Sequence, residues 1–402
     1  AIYNSKDSTN LTMSGTSFVG NSAQYGNAIY NEGIIATISA SFKDNVATKE
    51  ASNMGGAIYN IGNINSISGS TFTGNQSGRG GAIYNEEYSS GTGGYISLIS
   101  KITAGNNKKT ALRNVATSGG VIHNDGYISR IENSKLSFNT ADKGGVIYNS
   151  ATIREIVATT MSNSSAGYNG GAIYNANNTD SSIELVLDNV VFGDIKNSKL
   201  ANKANYDGGA IYNAGKISIT NSVLSRNNAG RNGGLVFASA TSETKFIGSQ
   251  TISYNTATNG YGGAIYTAGL LQISSTSVNR STISNNTATS GGAIYAVINN
   301  NISESDKQIY VNGVDFISNI ATNGNGGAIA LINNNVKVES DSIDDAKNVI
   351  SNTKFENNTA KRGNTYISGT GVASMGGAIY NELVLAIQNV TFKNNYAGFG
   401  GD

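Results

Sequence analysis

The sequence of 402 residues predicts an all-β fold: a single right-handed parallel β-helix of about thirteen coils, spanning residues 1–402 and apparently uncapped at both ends. Two short motifs alternate along the whole chain, and the closest complete copies are 25 residues apart. Their β-branched runs are bounded by Gly and Asn, which is typical of short strands joined by corners. No stretch has the apolar spacing of a helical repeat. The right-handed coiling follows from the chirality of strand connections.

The first motif is Gly-Gly-Ala-Ile-Tyr-Asn, as in residues 170–175. Its Ile recurs in the same slot of each coil, so we expect a continuous interior stack in which each burial contributes about 1.5–3 kcal/mol before entropy is counted. The expected core stack consists of Ile29, Ile58, Ile83, Ile122, Ile147, Ile173, Ile211, Val236, Ile265, Ile294, Ile329 and Ile379, preceded by Ile2. The Gly pair suits a tight bend in which a Cβ would clash.

The second motif is Phe-x-x-Asn, which predicts a second interior column of Phe and a corner closed by Asn. Asn tolerates the left-handed conformation, and its amide can bond to the coils above and below. The expected corner residues are Asn21, Asn45, Asn75, Asn319, Asn358 and Asn395. The chain contains no Pro, which agrees with strands that cannot lose a backbone N–H.

The residue after the repeated Ile is most often Tyr, and strand alternation places it opposite to Ile. If Ile points inward, these rings form an external aromatic ladder, which either binds sugar rings or a partner, or simply shields the sheet. Whether Ile or Tyr faces inward stays open at this point. The ladder consists of Tyr30, Tyr59, Tyr84, Tyr148, Tyr174, Tyr212, Tyr266, Tyr295 and Tyr380, preceded by Tyr3.

Composition argues against several functions. The 27 Lys and Arg balance 26 Asp and Glu, so no nucleic-acid partner is expected. Cys is absent, and no apolar run is long enough for a membrane-spanning helix. We expect no catalytic residues, cofactor or metal: His123, the one histidine, occupies a Tyr slot without a nucleophile motif beside it.

Insertions in the coils are better candidates for binding than any single residue, because loops on a repeat scaffold project from fixed corners. One set follows the Ile-Tyr strand and another follows the Phe slot. The acidic cluster Asp341, Asp344 and Asp345 and the basic cluster Lys108, Lys109 and Arg113 lie in these insertions, and we interpret both as solvated loops. The insertions are 86–96, 176–183, 297–309, 332–350, 107–118, 195–206 and 359–374.

The alternation of Gly-Gly-Ala-Ile with Phe-x-x-Asn resembles the repeats of chlamydial polymorphic membrane proteins. The stretches "TFTGNQSGRGGAIYN" (71–85), "STISNNTATSGGAIYA" (281–296) and "VTFKNNYAGFGG" (390–401) carry this resemblance. Adhesin-like surface proteins of methanogens contain similar repeats. The resemblance implies a β-helical autotransporter passenger that mediates adhesion, at the cell surface or outside the cell.

The leading hypothesis is therefore a non-enzymatic surface adhesin segment that binds a host-cell, glycan or matrix ligand. The alternatives are a structural subunit of a surface fibre, sheath or stalk, and a β-helical polysaccharide lyase or hydrolase. The chain begins and ends within a repeat. We therefore expect either an excerpt of a longer passenger or a subunit that associates end to end.

Overall fold

The computed structural model describes residues 1–47, 52–87, 93–105, 112–176, 183–298, 308–334, 348–361 and 374–398. The chain divides into unit 1, residues 1–193 and 199–204, and unit 2, residues 194–198 and 205–402. In each unit the chain winds through stacked coils, and short parallel strands of successive coils pair in three sheets. This confirms the predicted parallel β-helical fold class. The number of coils, the hand and the single domain stay predictions.

The described residues of unit 1 include seven first-sheet strands, each formed by the Ile-Tyr-Asn segment or its equivalent. They are Ile2–Asn4, Ile29–Asn31, Ile58–Asn60, Ile83–Asn85, Ile122–Asn124, Ile147–Asn149 and Ile173–Asn175. The second-sheet strands are Leu11–Val19, Ile34–Lys43, Asn63–Ser68, Thr71–Thr73, Tyr95–Ser100, Thr103–Ala104, Tyr127–Glu132, Lys135–Leu136, Thr152–Val157, Thr160–Met161, Glu184–Asp188 and Val191–Gly193. The third-sheet strands are Thr140–Lys143, Ser165–Asn169 and Lys203–Ala204.

Unit 2 repeats this arrangement, with six first-sheet strands in the part that the structure describes. They are Ile211–Asn213, Val236–Ala238, Ile265–Thr267, Ile294–Ile298, Ile329–Asn333 and Ile379–Asn381. The second-sheet strands are Lys216–Thr220, Val223–Ser225, Glu243–Ile247, Thr251–Ser253, Leu270–Ser274, Ser281–Ser284, Ile309–Asn312, Val314–Ile317, Asn348–Ser351, Lys354–Glu356, Leu385–Gln388 and Thr391–Lys393. The third-sheet strands are Asn228–Ala229, Thr256–Ala257, Thr287–Ala288, Ile320–Ala321, Thr359–Ala360 and Tyr396–Ala397. A turn of 3-10 helix occupies Ser198–Leu200.

The first sheet aligns identical residues of neighbouring coils. Ile58 pairs with Ile83, and the following Tyr and Asn pair in the same register. The repeated aliphatic side chains from Ile29 to Ile329 are fully buried, whereas Ile379 is half-buried. The interior side of this strand is therefore the Ile side, and the Tyr rings lie on the opposite side.

Phenylalanine rings form short stacks inside the coils, under the second sheet. In unit 1 the rings of Phe18, Phe42 and Phe72 follow one another with centroids 5.0 and 4.8 Å apart. In unit 2 the rings of Phe316 and Phe355 stack at 4.9 Å. Where Phe is absent, Leu, Ile or Met fills the same slot, as in residues 136, 161, 224, 252 and 283.

The corner asparagines join neighbouring coils through their side-chain amides. Asn45 shows the full pattern: its Nδ2 donates to Asn75 Oδ1 at 2.9 Å and to the Phe18 carbonyl at 3.1 Å. Its Oδ1 accepts from the backbone N–H and the Nδ2 of Asn21. All four hydrogen-bonding positions of the amide are thereby used, which removes the cost of burying it.

We call this column the corner amide ladder. In unit 1 its Nδ2 to Oδ1 distances are 2.8–3.0 Å, and in unit 2 they are 2.9–3.0 Å. The unit 1 members are Asn21, Asn45, Asn75, Asn114 and Asn139. The unit 2 members are Asn227, Asn255, Asn286, Asn319, Asn358 and Asn395.

The expectation that the corner Asn itself takes the left-handed conformation is wrong. The residue before it does so: Asp44 has φ 54° before Asn45, and Asn357 has φ 56° before Asn358. The corner Asn must align both its backbone N–H and its side chain with the next coil. The chain reversal is therefore made one residue earlier, at a side chain that reaches the surface.

The asparagine of the Ile-Tyr-Asn strand forms a second amide ladder that the sequence analysis missed. In unit 1 each Nδ2 donates to the Oδ1 of the next coil at 2.7–3.0 Å. The members are Asn4, Asn31, Asn60, Asn85, Asn124, Asn149 and Asn175. In unit 2 the equivalent positions are Asn213, Ala238, Thr267, Ala296, Leu331 and Asn381, so unit 2 has no such continuous ladder.

The Gly pair marks a bend at which both residues need to lack a side chain. Gly80 has φ +63°, and a Cβ there would lie 2.1 Å from the Ile83 carbonyl oxygen. A Cβ on Gly81 would lie 2.3 Å from the Gly120 carbonyl oxygen in the next coil. One glycine therefore allows the reversal, and the other allows close stacking of coils.

Candidate functional site

The Tyr side of the first sheet carries a column of stacked rings in each unit. In unit 1 consecutive centroids lie 4.6–5.6 Å apart, with His123 inserted in the column. The unit 1 members are Tyr3, Tyr30, Tyr59, Tyr84, His123, Tyr148 and Tyr174. In unit 2 Tyr212, Phe237, Tyr266 and Tyr295 stack at 4.9–5.7 Å, and Ala330 separates them from Tyr380.

Most of these rings are half-buried rather than freely exposed. Tyr59 and Tyr84 are only 8% and 1% exposed, which differs from the external position expected for them. The chain segment before a Gly pair covers part of the column at two places: the ring of Tyr25 lies 5.3 Å from that of Tyr59, and the ring of Tyr261 lies 4.5 Å from that of Tyr295. The column of Tyr rings is therefore partly shielded from solvent by other residues of the coils.

Several phenol groups at the edge of the column donate to carboxylates. The hydroxyl of Tyr59 donates to Glu86 at 2.5 Å, and that of Tyr84 donates to Asp125 at 2.7 Å. Burial, followed by these acidic neighbours, raises the pKa of both tyrosines. Burial also raises the pKa of Tyr295 to about 12. The phenols are therefore neutral hydrogen-bond donors at physiological pH.

His123 is the centre of a polar chain of side chains that the sequence analysis did not anticipate. Its Nδ1 lies 2.7 Å from Ser118 Oγ, and its Nε2 lies 3.0 Å from Asp125 Oδ1. An ionised carboxylate only accepts, so in a neutral imidazole Nε2 carries the proton and Nδ1 accepts from the Ser118 hydroxyl. The Gly pair between Ser118 and His123 brings the two side chains together, which spacing along the sequence does not reveal.

Asp125 organises this cluster. Burial alone would raise its pKa, but hydrogen bonds from His123, Ser150 and Tyr84 hold the pKa of this carboxyl well below its usual range. The guanidinium Nη1 of Arg79 lies 3.9 Å from its other oxygen. Asp125 is therefore a fixed anion that orients the imidazole and the surrounding hydroxyls.

Although Ser118, His123 and Asp125 form a hydrogen-bonded row, the surrounding backbone does not form an oxyanion hole. The N–H of Ser118 donates to the Gly78 carbonyl, and that of Gly119 donates to the Lys143 carbonyl at 3.0 Å. Acyl transfer depends on free donors aimed at the developing oxyanion. These two N–H groups are therefore not free to stabilise an oxyanion beside Ser118.

A cleft lies beside this row in unit 1, and another lies in unit 2. The unit 1 cleft has a volume of about 350 Å³ and the unit 2 cleft about 420 Å³. The unit 1 cleft is lined by Gly78, Arg79, Thr117, Ser118, His123, Asp125, Asp142, Lys143, Tyr148 and Tyr168. The unit 2 cleft is lined by Ser275, Ser277, Arg280, Asn312, Gly313, Asp315, Asn352, Thr353, Lys354, Asn389 and Thr391.

The unit 2 cleft lies beside a corner loop, residues 275–280, that was not among the predicted insertions. Arg280 ends this loop, and its guanidinium bonds to Asp315 Oδ1 at 2.6 and 2.9 Å and to the Asn352 carbonyl at 2.9 Å. Val278, near the tip of the loop, is 88% exposed. Both cations of this cleft already have partners within the protein, because Lys354 pairs with Glu356 as Arg280 does with Asp315.

Most of the predicted insertions lie largely outside the described residues. This applies to 88–92, 106–111, 177–182, 299–307, 335–347 and 362–373, and therefore to Asp341, Asp344, Asp345, Lys108 and Lys109. Arg113 is described and half-buried. In the part of the chain that the structure covers, no three His, Cys, Asp or Glu side chains are placed to hold a metal ion. The same residues contain no helix that is long and apolar enough to cross a membrane.

The coils, their in-register motifs and their amide ladders define a parallel β-helical repeat protein. The Chlamydia polymorphic membrane protein (Chlamydia_PMP) repeat matches the chain at residues 69–86, 280–297 and 352–382, which confirms the resemblance to these proteins at three places. Each match ends in the Ile-Tyr strand of a coil or just beyond it. A repeat of this kind points to a surface-associated protein. No curated protein and no solved structure matches the chain.

Proposed function

We propose that the chain is an adhesin-like segment of a cell-surface or extracellular protein. Its coils form a rigid scaffold, and its loops and half-buried aromatic column bind a ligand on another cell, a glycan or a matrix. The matches to the polymorphic membrane protein repeat in both units carry this proposal. Each match ends at or just beyond a first-sheet strand of the coils.

Two structural features support binding rather than catalysis. Beside the row of Ser118, His123 and Asp125, the backbone N–H groups of Ser118 and Gly119 already donate to carbonyls and are not free to bind an oxyanion. The described corner loop 275–280 instead presents Val278 to solvent, and an apolar side chain at the tip of a polar loop suits contact with a partner. A fibre, sheath or stalk subunit that associates end to end is the alternative.

Removing the corner loop tests the proposal. Deletion of residues 276–279 leaves Ser275 and Arg280 as a two-residue corner, which is the length found at Gly69 and Ser70. Dose-dependent binding of the purified chain to cells or to a glycan and matrix panel is measured before and after deletion. We expect binding by the parent chain and a clear loss in the shortened one, at an unchanged melting temperature.

Two results would contradict adhesion. One is the absence of binding to every surface tested, together with end-to-end polymers in electron microscopy, which would favour the fibre subunit. The other is depolymerisation of a pectin or alginate substrate by the purified chain, which would favour a lyase or hydrolase.

A further inference from the structure

The unit 1 cleft differs from the unit 2 cleft in the chemistry that it offers to a ligand. Its floor includes the fixed row of Ser118, His123 and Asp125, and its rim carries Arg79 and Lys143. Arg79 and Lys143 pair with Ser118 from the coils on either side. A volume of about 350 Å³ is within the range of small-ligand sites, roughly 300–1,000 Å³.

The two cations of the unit 1 cleft, Arg79 and Lys143, contact the fold and are also partly exposed to solvent. Asp125 already accepts from His123 and Tyr84, and Arg79 contacts it only at 3.9 Å. Among the described residues Lys143 has no carboxylate within salt-bridge distance, and its Nζ lies 5.5 Å from the centroid of the Tyr174 ring. Because Arg79 contacts Asp125 only at 3.9 Å, its guanidinium can form a bidentate pair with an incoming carboxylate.

The remaining groups suit the other parts of a sugar ring. Tyr168 is 51% exposed, so its ring offers an apolar face that can pack on sugar C–H groups. Asp142 is exposed at the rim, and its carboxylate can accept from sugar hydroxyls. Thr117 and Ser118 add hydroxyl groups to the lining.

We propose that the unit 1 cleft binds one acidic sugar residue, a pyranose ring that carries a carboxylate. Arg79 and Lys143 bind the carboxylate, Tyr168 packs against the ring, and Asp142 accepts hydrogen bonds from its hydroxyl groups. The hydrogen bonds that join Ser118 and Asp125 to His123 fix the side chains that line the bottom of the cleft. This inference rests on the proposed adhesive function and names the ligand class for one site.

Saturation-transfer NMR of the full chain with methyl glucuronide tests the inference, with methyl glucoside as the neutral ligand and acetate as the free anion. We expect saturable binding of the glucuronide and no binding of the glucoside. Tyr168→Ala should weaken binding by about tenfold through loss of ring packing. Arg79→Gln should weaken it by about tenfold or more through loss of a charged hydrogen bond.

Matched variants in unit 2 control for general effects. The guanidinium of Arg226 lies 4.6 Å from the centroid of the exposed Tyr254 ring, outside both clefts. Tyr254→Ala and Arg226→Gln remove the same side-chain types and should leave glucuronide binding unchanged. Far-ultraviolet circular dichroism and melting temperature check that the four variants stay folded.

Several outcomes overturn the inference. They are the absence of glucuronide binding, equal binding of the glucoside, displacement by acetate at the same concentration, binding of an acidic peptide instead, or insensitivity to Tyr168→Ala. If cells still bind the chain in any of these cases, the adhesive function stands and only the ligand class is wrong. If the glucuronide binds but no cell or matrix does, the adhesive function is wrong and the sugar site stands.

Discussion

Replacement of Asn286 by Ala tests whether the corner amide ladder stabilises the coils. Asn286 lies within the unit 2 ladder and is fully buried. Its Oδ1 accepts from the backbone N–H and the Nδ2 of Asn255 at 2.9 and 3.0 Å. Its Nδ2 donates to the Ile252 carbonyl at 3.2 Å and to Asn319 Oδ1 at 3.0 Å. The substitution therefore removes four hydrogen bonds.

The size of the stability loss depends on which partners of Asn286 keep another hydrogen bond. The Nδ2 of Asn255 keeps its bond to the Leu224 carbonyl, and Asn319 Oδ1 keeps the backbone N–H of residue 286. The backbone N–H of Asn255 loses the Oδ1 that it donates to. Partners that keep another hydrogen bond lose little, so the unsatisfied backbone N–H of Asn255 dominates; an unsatisfied buried donor costs about 1–3 kcal/mol, and we expect a loss near the upper end, about 3 kcal/mol.

Hydrogen exchange is the appropriate assay, because stacked coils open locally rather than all at once. Exchange of the amides around residue 255 should accelerate by roughly a hundredfold, since 1.4 kcal/mol corresponds to a factor of ten. Asn286→Ser should cost about half as much, because Ser164 fills an equivalent slot in unit 1 and accepts from the Asn139 N–H at 3.2 Å. The exposed Asn279→Ala is the control.

The reasoning is refuted if Asn286→Ala changes the local opening free energy by less than about 0.5 kcal/mol, the range of ordinary surface substitutions. It is also refuted if the Ser and Ala variants are equally destabilised. That result would mean that the lost acceptor is not the source of the cost.

Three further predictions concern other parts of the framework. Ile173→Asp places an unpaired charge in the interior stack and should prevent cooperative unfolding of unit 1, whereas Ile173→Val should cost only about 0.5–1.5 kcal/mol in urea denaturation. Gly81→Ala should lower the melting temperature more than Gly69→Ala, because only the first forces a Cβ into the backbone of the next coil; equal shifts would contradict the close-stacking argument. Hydrogen bonds from Lys354 and Lys393 lower the pKa of Glu356 to about 2, from an ordinary 4.5. Its stabilising contribution should be present above pH 4.5 and be lost as the pH falls towards 2; NMR titration should give a higher pKa in Lys393→Met.

The coil framework could be predicted because it is periodic. The Ile slot and the Phe-x-x-Asn motif recur in every part of the chain, so repetition alone indicates that each side chain meets its own equivalent. The second amide ladder was also visible as Asn after the Tyr of the Ile-Tyr strand at eight positions, and after His123 at one more. It was missed because Asn at a strand end was interpreted as a turn residue rather than as a buried partner.

The unit 1 cleft could not be predicted for the opposite reason. His123 departs from the repeat. Its side chain meets that of Ser118 only because the chain bends at the Gly pair between them, and it meets Asp125 two residues further on. Arg79 and Lys143 reach the cleft from the coils on either side. Residues that occur once carry no periodic signal, and their contacts depend on side-chain directions that only the folded backbone defines.

The corner amide ladder keeps the spacing between coils constant, whatever the number of residues in each coil. Partners in the corner amide ladder are 24 to 39 residues apart in sequence, yet their amides stay 2.8–3.0 Å apart. Extra residues in one coil are therefore accommodated without disturbing the next. The protein can gain or exchange surface segments in evolution, or in the laboratory as a display scaffold, at positions where the amide column continues unbroken on both sides.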